Sequence, residues 1–173
     1  KLLAEAGYGP GNPLKFALST RSLPLYVDTA SWMVDQLQQI GVETTLEQIE
    51  TGVWHPKMTR LEYQVALNLT GVGIDDPDAQ LFENYRCGSQ RNFSGYCSEE
   101  IDRLMVEQSQ TLDPKKRLAL VNEIDRKLQA DGARPILGWA KQHYVLWPHV
   151  KGWVVHENSI YNVSRRQDVW LDK

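Results

Sequence analysis

The strongest constraint on the fold is the alternation of strand-like and helix-like patterns over the first seventy residues. Three stretches have the apolar and β-branched patterns of strands: 14–20, 42–50 and 63–69. Two stretches between them have helical spacing: one from Pro24 to Gly41, the other at 52–62. Strands joined by crossover helices pair in parallel, so this part of the chain predicts an α/β fold.

The second half is predicted to contain three helices followed by extended structure. A loop rich in glycine and aspartate leads into a short helix within 70–85. Ser98 and Asp113 are placed as N-caps of two longer helices, the second with proline at its first position. Extended structure is expected at 134–148, and a final strand and turn at 150–162.

The composition argues against nucleic acids and anionic membranes as the main partners. The chain of 173 residues is 42% hydrophobic and 24% charged, enough apolar material for a core, with a formal net charge of −3. Nucleic acids and anionic membranes require a basic face, which this balance does not favour. No apolar run approaches the roughly 20 residues of a membrane span. The opening "KLLAEAGYG" has the pattern of a helix end, so we expect further protein upstream.

The chain has two cysteines, Cys87 and Cys97. A structural zinc site needs about four nitrogen or sulfur ligands, and no histidine lies near them in sequence. The redox motif C-x-x-C is absent. A disulfide is therefore favoured over a metal site or a redox pair, and a stable disulfide indicates an oxidising compartment.

Several acidic, glycine and aromatic residues are candidates for a site. Asp76 or Asp78 fits helix capping better than calcium binding, because Pro77 interrupts the acidic loop. The glycines of "TGVG" (70–73) allow a ligand to approach bare backbone after a strand. Most of the six tryptophans are expected in the core, and Trp139 is assigned to a pocket wall.

Arg21 ends the first strand, and two interpretations are open for it. It is either a surface charge or a guanidinium that captures a ligand carboxylate in a bidentate manner. No recognisable catalytic, metal-binding or cofactor motif accompanies it, so we expect no enzyme activity, resident metal or cofactor.

Taken together, these segments resemble the extracellular solute-binding proteins of family 5, the periplasmic binding components of ABC transporters for peptides, nickel complexes and related solutes. The matching segments follow the family order over nearly the whole chain: "KLLAEAGYG" (1–9), "WMVDQLQQIGVETTLEQIE" (32–50), "DDPDAQLFENY" (75–85), "NFSGYCSEEIDRLM" (92–105), "LDPKKRLALVNEIDRKLQADGARPIL" (112–137) and "VKGW" (150–153).

The resemblance implies a periplasmic-binding-protein-like lobe of class II type, with a mixed sheet flanked by helices. Residues 1–150 would form a carboxy-terminal ligand-binding lobe, and 151–173 would return toward an amino-terminal lobe that lies upstream with the signal peptide. Such proteins bind a peptide or related solute by hinge closure and deliver it to an inner-membrane permease, without catalysis. The alternative is a ligand-sensing or chaperone-like module on the same scaffold.

The resemblance also assigns residues. With a one-residue gap in the alignment, Arg21 corresponds to the arginine by which dipeptide-binding members hold the peptide carboxylate. Their amine-binding aspartate corresponds to Gly73, and their nearby tryptophan to Thr70, so recognition of a free amine is in question; Asp75 is a possible substitute. The predicted ligand-binding set is thus Arg21, Val72, Gly73, Asp75 and Trp139. Dipeptide-binding relatives also carry a disulfide across the loop that holds both cysteines here.

Overall fold

The computed structural model describes residues 1–71, 74, 76–139, 143–154 and 166–172. The chain divides into two units, Lys1–Thr70 and Gly71–Lys173, and each is described by itself. The domain boundary expected near residue 150 stays a prediction.

The first unit is built on a small parallel sheet. Strand β1 lies in the centre, with β2 on one side and β3 on the other, and both pairings are parallel. The predicted α/β arrangement is therefore confirmed. Its elements are α1 (Leu2–Glu5), β1 (Lys15–Arg21), α2 (Pro24–Gln39), β2 (Glu43–Ile49), α3 (Thr51–Thr59) and β3 (Val65–Ala66).

Helices cover the sheet of the first unit. Leu18 and Ala30 are fully buried and pack together with Leu67, so α2 contributes to the core beside β1. Side chains alternate along a strand, which places Ser19 on the opposite face from Leu18. Helix α3 buries Trp54 and Met58 completely. Burial of such large side chains stabilises the unit by roughly 1.5–3 kcal/mol each.

Strand β3 is shorter than the predicted stretch 63–69. The side-chain oxygen Oε1 of Gln64 accepts the backbone N–H of Ala17 at 2.8 Å, in place of a backbone carbonyl. Regular pairing with β1 therefore begins only at Val65. Beyond the strand, the N–H of Leu67 still donates to the carbonyl of Ser19 at 2.9 Å.

The described residues of the second unit form three α-helices, α4 (Pro77–Asn84), α5 (Glu99–Gln110) and α6 (Pro114–Ala130), and one short 3-10 helix (Arg166–Asp168). Both predicted caps are confirmed: Ser98 accepts the N–H of Ile101, and Asp113 accepts the N–H groups of Lys115 and Lys116. One cluster of buried residues joins the helices and the turn after α6: Leu81, Tyr85, Ile101, Leu104, Met105, Ile124, Leu128 and Ala133.

A short antiparallel pair lies later in the second unit. Strand β4 (Val150–Lys151) pairs with β5 (Trp170–Leu171). Gly152 follows β4 with φ of +75°, and a Cβ there would lie 2.0 Å from the carbonyl oxygen of Asp168. Glycine is therefore required at this position by both backbone conformation and space. The rest of the strand and turn predicted at 150–162 falls largely on residues outside the described ones.

A disulfide joins Cys87 and Cys97, which confirms the interpretation favoured from the sequence. The loop it closes is also held from within, because Asn92 donates through Nδ2 to the carbonyls of Arg86 (3.1 Å) and Tyr96 (2.6 Å). The N–H of Cys87 donates to the carboxylate of Asp102 on α5. The loop between α4 and α5 is thus fixed covalently and by hydrogen bonds.

The expectation that most tryptophans lie in the core is wrong. Trp54 is fully buried and Trp153 is partly buried, whereas the other four are exposed: Trp32, Trp139, Trp147 and Trp170. Two of these four lie within 134–148, where the described residues form no strand and have no sheet to cover their apolar side chains. Apolar patterning alone does not distinguish such a segment from a buried strand.

Candidate functional site

Arg21 is the last residue of β1 and lies at the carboxyl edge of the parallel sheet. In the β1–β2 register it pairs with Ile49, the last residue of β2. The carboxyl ends of parallel strands are where open α/β sheets commonly bind ligands. The candidate arginine therefore lies at the edge of the sheet where ligand binding is most expected.

Two hydroxyl groups hold the Arg21 guanidinium. Oγ1 of Thr51 accepts hydrogen bonds from Nε at 3.3 Å and from Nη2 at 3.2 Å. The hydroxyl of Tyr26 accepts a hydrogen bond from Nη1 at 3.0 Å, and the guanidinium carbon lies 4.8 Å from the centre of the Tyr26 ring. The sequence does not reveal either partner: Tyr26 recurs at helical spacing with the apolar residues of α2, and Thr51 belongs to no recognisable motif.

The guanidinium keeps part of its capacity to donate. Of its five N–H groups, three are used by Tyr26 and Thr51, which leaves one N–H on each terminal nitrogen. No aspartate or glutamate among the described residues forms an ion pair with Arg21. A partly buried, positioned cation with donors to spare is suited to a carboxylate.

The turn from β2 into α3 places Thr51. Glu50 caps α3 by accepting the N–H of Gly52 at 2.7 Å, so Thr51 is the first helical residue. A Cβ on residue 52 would lie 2.9 Å from the capping oxygen, so glycine allows this tight cap. The helix start is thereby fixed directly beside the strand end that carries Arg21.

An ion pair holds α3 against the sheet. Oε2 of Glu47 on β2 accepts from the hydroxyl of Ser19 at 2.7 Å and from Nζ of Lys57 at 3.1 Å. The hydrogen bond from Ser19, and then the one from Lys57, lower the pKa of the Glu47 carboxyl, so it stays ionised. Because Lys57 belongs to α3, this pair helps to keep Thr51 in reach of Arg21.

In the acidic loop of the second unit, Asp76 and Asp78 both accept hydrogen bonds from groups of the protein. Asp76 is the N-cap of α4, accepting the N–H of Asp78 at 2.9 Å, as the capping interpretation predicted. The hydrogen bond from Arg117 is the main cause that lowers the pKa of the Asp76 carboxyl. Among the described residues, no group of histidine, cysteine, aspartate and glutamate side chains is arranged to hold a metal ion.

The predicted ligand-binding residues are distributed over both units. Arg21 belongs to the first unit, and Trp139, whose side chain is 87% exposed, belongs to the second. Val72, Gly73 and Asp75 lie outside the described residues. Their roles stay predictions.

The parallel sheet and its arginine lie in a stretch that a known family covers. The sequence profile of the "Bacterial extracellular solute-binding proteins, family 5 Middle" matches residues 1–92, more than half of the chain. The chain belongs to this family. Family 5 is a family of solute-binding proteins, and its match includes Arg21, Tyr26 and Thr51 together with the whole of α4.

Related proteins and structures agree with this membership. The periplasmic oligopeptide-binding protein OppA of Haemophilus influenzae is 29% identical over 160 residues, covering 88% of this chain and 29% of that protein. The Di/tripeptide-binding protein 2 of Pseudomonas aeruginosa is 28% identical over 130 residues, covering 72% of this chain and 24% of that protein. The chain thus spans less than a third of the length of these relatives.

Structural similarity extends over nearly the whole chain. The structure of Burkholderia pseudomallei OppA superimposes with a TM-score of 0.75 at 25% identity, covering 99% of this chain and 34% of that one. The fold is therefore that of the family 5 periplasmic binding proteins, as the sequence predicted. No helix within the described residues has the length and apolar character needed to cross a membrane.

Proposed function

We propose that this chain is a ligand-binding portion of the solute-binding component of an ABC importer. The protein captures a peptide or a related small solute between two lobes and delivers it to a membrane permease. It acts by binding rather than by catalysis. Residues 1–150 belong to the carboxy-terminal lobe, and 151–173 return toward the other lobe.

The observation that supports the proposal most is the position of Arg21 and the absence of an acidic partner for it among the described residues. Its guanidinium lies at the carboxyl edge of the sheet, is oriented by Thr51 and Tyr26, and has no acidic partner among the described residues. In a family of solute-binding proteins, such a cation supports recognition of a carboxylate, the group at the end of every peptide. The two curated relatives are named for binding oligopeptides and di- or tripeptides.

We further propose that the carboxyl end of the solute is the anchored end. Gly73 occupies the position where the resemblance expects an amine-binding aspartate, and Asp76 and Asp78 already bind groups of the protein. Asp75 is then the loop carboxylate left for a cationic side chain of the solute, with Val72, Gly73 and Trp139 as the other proposed contacts. The disulfide supports an exported protein in the periplasm or cell envelope.

The experiment is calorimetric titration of the full natural protein with alanine peptides of two to five residues. Each peptide is used in three forms: with free ends, with an amidated carboxyl end, and with an acetylated amino end. We expect binding of free-ended peptides, at least about tenfold weaker binding after amidation, and a change of less than about threefold after acetylation.

Three results would contradict the proposal. Absence of binding across the peptide panel removes the peptide class of solute. A larger loss from acetylation than from amidation shows that the amino end is the anchored one. Shortened peptides in mass spectra after incubation reveal catalysis, which the proposal excludes.

A further inference from the structure

The hydroxyl group of Tyr26 accepts a hydrogen bond and still has a proton to donate. Its oxygen accepts from Nη1 of Arg21 at 3.0 Å. A phenol hydroxyl is a donor as well as an acceptor, whereas a guanidinium has no acceptor that could take the proton. Among the residues that the structure describes, the Tyr26 hydroxyl donates to no other group. Its O–H is therefore available to a ligand.

The start of α2 places this hydroxyl beside the end of β1. Strand β1 ends at Arg21 and α2 begins at Pro24, so Tyr26 is in the first turn of the helix. The ring of Tyr26 also lies against the guanidinium, with 4.8 Å from its centre to the guanidinium carbon. Both side chains are partly buried. The O–H of Tyr26 and the unused N–H of Nη1 are thus carried by two neighbouring atoms.

Thr51, the other hydroxyl partner of Arg21, is in a different position. Its Oγ1 accepts from both Nε and Nη2, so the guanidinium uses both acceptor sites of that oxygen. Because the bonds around a hydroxyl oxygen diverge, the O–H of Thr51 is directed away from the guanidinium. The oxygen of Tyr26 accepts only one bond from Arg21, so its O–H has room to lie beside the unused N–H.

We propose that Tyr26 is a ligand-binding residue whose hydroxyl donates a hydrogen bond to the carboxylate of the solute, beside the hydrogen bonds from Arg21. An ionised carboxylate only accepts hydrogen bonds and has two oxygens, so it satisfies both donors. The bond from the guanidinium polarises the Tyr26 hydroxyl and makes it a stronger donor. This inference rests on the proposed function, in which Arg21 binds the carboxylate.

The competing explanation is that Tyr26 only orients Arg21, and an Arg21→Met background separates the two roles. This variant has no guanidinium left to orient. The full natural protein is titrated by calorimetry with the free-ended alanine peptide that binds it most tightly. Tyr26→Phe keeps the ring and removes the hydroxyl, so we expect about tenfold weaker binding in the wild type and at least about fivefold further loss in Arg21→Met.

Two comparisons accompany these variants. Thr51→Val should add less than about twofold in the Arg21→Met background, because Thr51 acts through Arg21 alone. Tyr8→Phe removes the hydroxyl of another tyrosine of the first unit, one that does not bind Arg21 in the structure. Its affinity should stay within about twofold of wild type.

A second route decides the matter if the Arg21→Met variants do not fold or bind too weakly to measure. Incorporation of 4-aminophenylalanine at position 26 supplies an N–H donor in place of the O–H, but only a weak acceptor for Arg21. It should recover at least about threefold of the affinity lost in Tyr26→Phe.

Three results overturn the inference and leave the proposed function intact. They are wild-type affinity in Tyr26→Phe, no further loss from Tyr26→Phe in the Arg21→Met background, and no recovery with 4-aminophenylalanine. Wild-type protein that binds none of the peptides overturns both the inference and the proposed function.

Discussion

Arg21 in the first unit and Arg117 in the second are both partly buried arginines, but their partners differ in charge. Arg21 donates to two hydroxyl groups, those of Thr51 and Tyr26. Arg117 donates to the carboxylate of Asp76 and to the side-chain oxygen of Gln108, a fully buried residue. Hydroxyl partners orient a guanidinium and leave its charge uncompensated, whereas a carboxylate partner neutralises it.

This difference separates a residue that can receive a ligand from a residue that holds the protein together. The hydrogen bond to Asp76 raises the pKa of Arg117, the direction expected when an anion is already bound. A second anion would gain little from that guanidinium. Arg21 has no such partner among the described residues, so an incoming carboxylate would supply its first counter-charge.

The largest expected effect comes from removing the uncompensated arginine. Arg21→Ala should weaken free-ended alanine peptides by about 3 kcal/mol, or about 100-fold, because a charged hydrogen-bonded pair is lost. Amidated peptides, which carry no carboxylate, should bind the variant and the wild type alike. Calorimetric titration of both peptide forms checks this.

The same titrations contrast the two arginines directly. Arg117 is already paired with Asp76, so Arg117→Met should not discriminate between the two peptide forms, whereas Arg21→Ala should affect only the peptide with a free carboxyl end. Equal losses for both forms in Arg21→Ala would mean that Arg21 shapes the site rather than binding the carboxylate.

A smaller effect is expected from the hydroxyl that orients Arg21. Thr51→Val keeps the shape of the side chain but removes the oxygen that accepts from Nε and Nη2. Loss of this orientation should weaken free-ended peptides about fivefold. Thr59→Val is the matched control, because Thr59 is at the other end of α3 and its hydroxyl donates only to the carbonyl of His55. A change of equal size in both variants would attribute the effect to the helix rather than to Arg21.

The position of Arg21 could be predicted from the sequence, whereas the pairing of Arg117 could not. Arg21 could be located because strand periodicity shows where β1 ends, and parallel strands end at one edge. The same rule could have found Thr51, the second residue after β2 ends. Tyr26 could not be separated from the apolar stripe of α2, because a tyrosine fits a helix face and a hydrogen-bonding role equally well.

Long-range contacts were beyond reach from the sequence. The capping role of Asp76 is local and was predicted, but its partner Arg117 lies 41 residues away and carries no signal in the sequence. The tryptophans show that an apolar pattern can also predict burial that the structure does not have. Trp139 and Trp147 lie in an apolar stretch typical of a buried strand, yet burial depends on a neighbouring surface that composition does not specify.

The smallest expected effect is a dependence of stability on pH in the second unit. The bond from Arg117 lowers the pKa of the Asp76 carboxyl in the folded protein below its ordinary value of 3.8. Its stabilising contribution is therefore complete above that value and is lost as the pH falls through the lower folded value. Asp76 is 37% exposed, so solvent screening keeps the contribution below about 1 kcal/mol. Urea unfolding of wild type and Asp76→Asn at pH 7, 5, 4 and 3 should give a constant difference in the free energy of unfolding down to pH 5, shrinking below pH 4.

In an Arg117→Met background the difference should be much smaller at every pH, because the main cause of the shift is gone. A difference that grows as the pH falls would mean that Asp76 is not ionised against Arg117, and the contrast between the two arginines would no longer hold.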